Sequence, residues 1–241
     1  MLRSRPERSA LRSRTGRRFL HGALLGLLTL GAPVAAQGAP GSFALTVSPT
    51  TLTLAPGART VSVTVSNSGT QPVVFSAQLL RWTQSGTDAL NTTPDMIVAP
   101  AQVTLPAGGR QVLRLARLGA PPTGQQAYRL LLTQQPASGG TGVQTLLRLS
   151  VPLFDGPRGE PQVQARQQGR VLTLHNTGSG HAKLGALEAQ LAGNWVPLGL
   201  TYVLPGAQRT LTLPAEGTVT GLRYLADDGR VTGLPLDPDR P

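Results

Sequence analysis

From Phe43 onward, apolar and polar residues alternate with a period of two, as in "FALTV", "TLTLAPG", "RTVSVTVSNSG" and "RQVLRLARLG". Successive side chains of a strand point to opposite faces, so this period marks strands with one buried face. A helix would repeat at about 3.6 residues. Val, Leu and Thr fill the runs, and Pro, Gly and Asn punctuate them as turn formers do. The pattern predicts seven strands before residue 156, near 43–54 (broken at Pro49), 59–66, 72–82, 97–104, 110–117, 126–134 and 143–154. Seven more follow near 161–166, 170–175, 185–190, 194–198, 209–213, 218–225 and 229–234. "DDG" at Asp227–Gly229 is a hairpin signal between the last two. No segment from Phe43 to Pro241 carries the stripe and caps of an amphipathic helix, and 29 glycines and 21 prolines suit many short strands.

The polar, Gly/Pro-rich stretch "FDGPRGEP", Phe154 to Pro161, interrupts the alternation and reads as an interdomain linker. The expected fold is therefore all-β, with two immunoglobulin-like β-sandwich domains in tandem. The N-terminal one is expected over 42–155 and a smaller C-terminal one, with fewer or shorter strands, over 160–235.

The amino terminus follows different rules. Met1 to Arg18 holds seven arginines and one acid, Glu7, and an apolar run from Leu20 to Leu30 leads to small residues at Val34 and Ala36. Charged start, short apolar centre and small-residue exit make residues 1–36 read as a secretory signal peptide. The apolar centre is shorter than the roughly 20 residues that span a bilayer, so no membrane span is expected in the mature chain. The pair Arg17-Arg18 lies at a spacing that departs from a twin-arginine signal, and ordinary secretion is the preferred reading.

Removing that segment changes the meaning of the charge. The chain has 22 basic and 11 acidic residues, and setting aside seven of the first and one of the second leaves 15 against 10, a net +5. That is ordinary for a soluble domain pair. The remaining arginines are scattered and the single lysine is Lys183, with no run that tracks phosphates, so no nucleic-acid partner is expected. With no cysteine, disulfides and thiolate metal sites are excluded, and each domain must be held by its hydrophobic core.

Residues for catalysis do not converge in the pattern. His175 and His181 flank "NTGSG", but the nearest acids, Asp155, Glu160 and Glu188, stand at no metal-binding spacing. They read as a strand-end and a post-turn residue. No serine lies in a GxSxG elbow, and the glycine clusters open no helix that could cradle a phosphate. No catalytic residue, metal or cofactor is expected.

Taken in order, several segments resemble the periplasmic pilus (fimbrial) assembly chaperones, the PapD-like family. "VSPTTLTLAPGARTVSVTVSNSGTQPVVFSAQLLRW" resembles the family's opening strands and the turn where Asn67, Gly69 and Pro72 sit. "MIVAPAQVTLPAGGRQVLRLAR" is similar to its extended segment and the strand after it, "YRLLLTQQP" to its sixth strand, and "RLSVPLF" to the end of its seventh. "NTGSGHAKL" and "YVLPGAQRTL" resemble the second domain of the archaic, spore-coat-like branch. The likeness spans residues 43–235.

That resemblance implies a periplasmic protein that stabilises pilin subunits by lending them a β-strand and hands them to an outer-membrane usher. Its partners would be pilin subunits and the usher. The lent strand falls on Val143 to Phe154, where Val143, Thr145, Leu147, Leu149 and Val151 project to one side, and Val143, Thr145 and Leu147 are the expected donor positions. On periodicity alone the same strand reads equally as the last strand of a sandwich, its apolar face in its own core. The resemblance also implies a basic pair that holds the pilin's terminal carboxylate. Arg148 matches one member; the other falls at Thr51, which is not basic, so Thr50 or Thr51 hydroxyls or another arginine such as Arg129 would have to assist. Two rival readings stand beside it: a generic secreted immunoglobulin-like binding or surface module, and a secreted hydrolase whose acids gather only in three dimensions.

Overall fold

The computed structural model describes residues 45–136 and 145–237. All regular structure in them is β, in two sandwiches. The expected strand 43–54 divides at Pro49 into β1 (Leu45–Ser48) and β2 (Leu52–Leu54). Then come β3 (Thr60–Asn67), β4 (Val73–Ser85) and β5 (Thr87–Asn91). The expected strand 97–104 likewise divides at Pro100, into β6 (Met96–Ala99) and β7 (Gln102–Leu105). β8 (Arg110–Arg117), β9 (Gln126–Gln134) and β10 (Arg148–Asp155) complete the first sandwich.

The two divisions share a cause. Proline has no N–H for a ladder, so each chain leaves one sheet there and joins the other. One sheet runs β1-β3-β8-β6; the other runs β2-β10-β9-β4-β5, with β7 also on β4. Leu52, Val63, Phe75, Leu113, Leu130 and Leu153 are among the core residues between them. Of the segment read as linker, Phe154 and Asp155 are instead buried ends of β10.

The second sandwich has β11 (Val163–Gln168), β12 (Val171–Asn176), β13 (Ala182–Leu191) and β14 (Asn194–Val203). β15 (Gln208–Thr212), β16 (Val219–Leu225) and β17 (Val231–Gly233) follow. Its sheets are β11-β12-β15 and β14-β13-β16-β17, closed over Leu172, Leu174, Leu187, Val203 and Leu222. The strands are fewer than in the first sandwich but not uniformly shorter, since β13 and β14 have ten residues each. The "DDG" hairpin is formed, with Gly229 at φ 80° in the turn between β16 and β17.

β3 of the first sandwich and β12 of the second end in the same way. Buried Asn67 donates to the carbonyls of Gln71, Leu105 and Pro106 and accepts from Gly69 N–H. Buried Asn176 donates to Gly180 and Val203 carbonyls and accepts from the N–H groups of Gln162 and Gly178. An Asn-x-Gly sequence makes each arrangement: the amide closes an Asx turn and pins a neighbouring loop or strand.

Candidate functional site

β10 is built as two unlike halves. Its last three residues pair in parallel with β2 (Leu153↔Leu52, Phe154↔Thr53, Asp155↔Leu54), and its whole length pairs antiparallel with β9. Upstream of those three, the side away from β9 has no partner strand among the described residues. Gln134 N–H donates to Leu147 C=O at 2.9 Å, so odd-numbered residues exchange bonds with β9. The backbone groups of Arg148 and Ser150 therefore point outward, as an open strand edge does. Pro152, between the halves, has no N–H.

Side chains alternate across this edge. Leu149, Val151 and Leu153 pack on or in the sandwich's own core, which fulfils the last-strand reading for that stretch. Thr145 is exposed and Leu147 half-buried; both precede β10 and neither joins the core cluster, while Val143 lies outside the described residues.

The opposite face of the sheet carries cations in rows. Pro152 pairs with Arg129 and Arg129 with Leu80; Ser150 pairs with Leu131 and Leu131 with Gln78; Arg148 pairs with Thr133 and Thr133 with Ser76. Arg129 lies over Trp82, 3.7 Å from the ring centroid, and 5.4 Å from that of Tyr202. Its N–H groups find no acceptor among the described residues. Desolvation pulls its pKa below the ordinary arginine value, opposed by Asp88, and the guanidinium stays charged. Thr51 immediately precedes β2, so the parallel register sets it beside Pro152, in the row of Arg129. Arg148 is exposed on the same face, four residues upstream of Pro152, or roughly 13 Å along the strand. Thr51 and Arg129 thus share one row with Pro152 between them, and Arg148 stands apart from both.

The second sandwich joins at the end of these rows. Trp82, Ala127 and Phe154 form one buried cluster with Tyr202 and Leu204. Gln84 donates to Tyr202 C=O and accepts from Leu204 N–H. Asp88 accepts from the Trp82 indole at 2.8 Å and forms an ion pair with Arg209 at 3.2 Å. At the tip of the β4–β5 hairpin, Gly86 N–H donates to Gln208 C=O, and Thr210 N–H donates to Gly86 C=O at 2.7 Å, covering the edge of β15. His181, read from the sequence as a post-turn residue, stacks on Phe154 with ring centroids 3.4 Å apart and planes at 4°.

Where β10 ends, Arg117 donates to Asp155 at 2.5 Å and to Ala58 C=O. Asp95 and Asp155 share a cavity of about 300 Å³ with Arg81, Arg117 and Tyr128. Each carboxylate is paired with an arginine, so the cavity holds two ion pairs instead of an acid–base couple. Among the described residues no His, Asp and Glu group could hold a metal ion, and no helix is long and apolar enough to cross a membrane.

The doubly covered stretches of β9 and β10 left a trace in the sequence. "VPLF" in β10 and "LLL" in β9 are continuous apolar runs, the mark of strands covered on both faces.

Two β-sandwiches in series, with an open strand edge beside a cationic face, place the chain among tandem immunoglobulin-like proteins. Within that class, residues 44–160 match the family described as pili and flagellar-assembly chaperone, PapD N-terminal domain. The match spans the first sandwich, and the chain as a whole is PapD-like in fold. Its fold is similar to the CsuC–CsuE chaperone–tip adhesion subunit pre-assembly complex from archaic chaperone–usher Csu pili of Acinetobacter baumannii. There the identity is 21%, the TM-score 0.64, and the match covers 81% of this chain and 99% of the other. The E. coli chaperone DraB is 20% identical with a TM-score of 0.59, covering 81% and 97%. The Salmonella enterica SafA pilin–SafB chaperone complex is 18% identical with a TM-score of 0.59, again covering 81% and 97%. At these identities the likeness is one of fold. The sequence matches no curated protein.

Proposed function

We propose that this chain is a periplasmic chaperone of the archaic type. It binds pilin-like subunits whose own sandwich lacks a strand and passes them to an outer-membrane usher. In this reading residues 1–36 are the export signal, 42–155 and 160–235 are the two domains, and the chain performs no catalysis and takes no cofactor. The observation that carries the proposal is the open outer edge of β10 upstream of Pro152, next to a face bearing Arg129 and Arg148. The subunit pairs with this edge by backbone hydrogen bonds, and Val143, Thr145 and Leu147 supply side chains to its groove. Its C-terminal carboxylate is held on the cationic face by charge-assisted hydrogen bonds. Arg148 and Thr51 are the positions implied by family likeness. Arg129 is supported by its stacked guanidinium, which finds no acceptor among the described residues, and by its place in the same row as Thr51.

Co-expression of the mature chain with small secreted sandwich proteins encoded beside it tests this reading. Wild type is expected to render one of them soluble and to co-purify with it. Arg129→Ala is expected to lower recovery about tenfold or more, as loss of a charge-assisted contact does. If Arg148→Ala abolishes capture while Arg129→Ala does not, the anchor is Arg148. If no partner is captured by wild type, the generic immunoglobulin-like module becomes the better account.

A further inference from the structure

The seam between the sandwiches contains one titratable ring that neither the cationic face nor the strand edge uses. His181 is 5% exposed and sits immediately before β13. One face of its ring lies on Phe154 of β10, and Tyr202 of β14 is 6.2 Å away. Gln125, from the loop before β9, reaches across with its side-chain oxygen to accept from the His181 N–H and to meet Nδ1, both at 2.8 Å. That oxygen can only accept a hydrogen bond, so neutral His181 carries its hydrogen on Nδ1 and donates it to Gln125. The charged groups around the ring are Arg158 in the linker, Lys183 on β13 and Asp227 in the β16–β17 turn. Asp227 already bonds Lys183 at 2.9 Å and lies 3.8 Å from Arg158, so its charge is shared between two cations.

We propose that the seam is an acid-operated hinge, closed while His181 is a neutral ring stacked on Phe154 and opened when that ring takes up a second proton. A protonated ring would gain some cation–π attraction from Phe154, but it would do so without water and beside two cations. Desolvation is the largest cause of a pKa lowered to about 4, followed by Arg158; Asp227 raises it and Lys183 lowers it. Once the seam opens, the imidazole returns to the ordinary value near 6.5. The open form therefore binds more protons between these two values and gains as pH falls through them. Across the whole window the closed-to-open ratio drops up to about 300-fold. The inference is independent of what the open strand edge binds.

The test uses the full mature chain carrying Trp195→Phe, which leaves Trp82, in the seam, as its remaining tryptophan. Trp82 emission is expected to shift to the red between pH 6.5 and 4, with the far-ultraviolet circular dichroism of both sandwiches unchanged. His181→Phe keeps an aromatic stack and cannot titrate, so the shift is expected to vanish in it. A shift that persists in His181→Phe at the same midpoint overturns the proposal. So does wild-type emission that stays constant to pH 4. If His181→Phe fails to fold, nuclear magnetic resonance of wild type decides: a His181 ring that titrates near 6.5 with the seam intact overturns the hinge.

Discussion

Buried polar side chains set the most demanding conditions on this sequence. Asp155, 1% exposed, and Arg117 neutralise each other in a buried pair, yet Arg117 Nε and Asp155 Oδ2 have no partner among the described residues. Removing one member strands the other charge without solvent. Asp155→Ala is therefore expected to lose roughly 3–5 kcal/mol of stability by urea unfolding. Replacing both with apolar residues of similar volume should recover most of that loss, and a double variant as unstable as the single one would contradict this account. Asn176 answers four backbone groups at once, so Asn176→Ala leaves two donors and two carbonyls to find other partners. The expected loss is about 3 kcal/mol, and Asn67→Ala should cost a similar amount in the first sandwich. A loss under about 1 kcal/mol in either case would mean that water replaces the amide.

Among the elements, the β4–β5 hairpin is the one whose tip has a long-range role. Gly86 has φ 77°, and a Cβ placed there would lie 3.3 Å from Thr210 Oγ1. Gly86→Ala adds left-handed backbone strain of roughly 1–2 kcal/mol and presses on β15. Faster amide exchange is expected at Thr210, whose N–H donates to Gly86, while exchange inside β9 stays unchanged. This hairpin also shows where reading from sequence stopped. All five residues of β5 are exposed, so "TDALN" has no apolar alternation to betray a strand. β3, β8 and β9 each bury a regular set of side chains, and their predicted limits differ from the observed ones by one residue at most. Pro49 was visible as a break, whereas the expected strand 97–104 ran through Pro100, and which sheet each half joins depends on pairing far along the chain. The cationic face was legible only in part for the same reason. Arg129 and Thr51 are 78 positions apart in sequence and come into one row only through β10, with Pro152 between them.

Taken whole, residues 45–237 contain two cores and a third, small aromatic cluster that joins them. Tyr202 touches Trp82 edge-on at 5.7 Å and Phe154 at 6.1 Å, and its backbone carbonyl accepts from Gln84. Tyr202→Ser removes the ring without touching either main core. By scanning calorimetry the variant is expected to melt in two steps where wild type melts in one; an unchanged single transition would show that the Gly86 and Asp88 contacts suffice. The molecule-wide arrangement also gives the open edge of β10 a fixed downstream end. β2 occupies the edge from Leu153, and Pro152 offers no donor to a strand arriving from outside. An incoming strand can slide no further than this point, so its last paired residue is set by the host rather than by its own sequence. Pro152 in effect serves as the zero mark of a ruler, and guests of different sequence would be held in one common register.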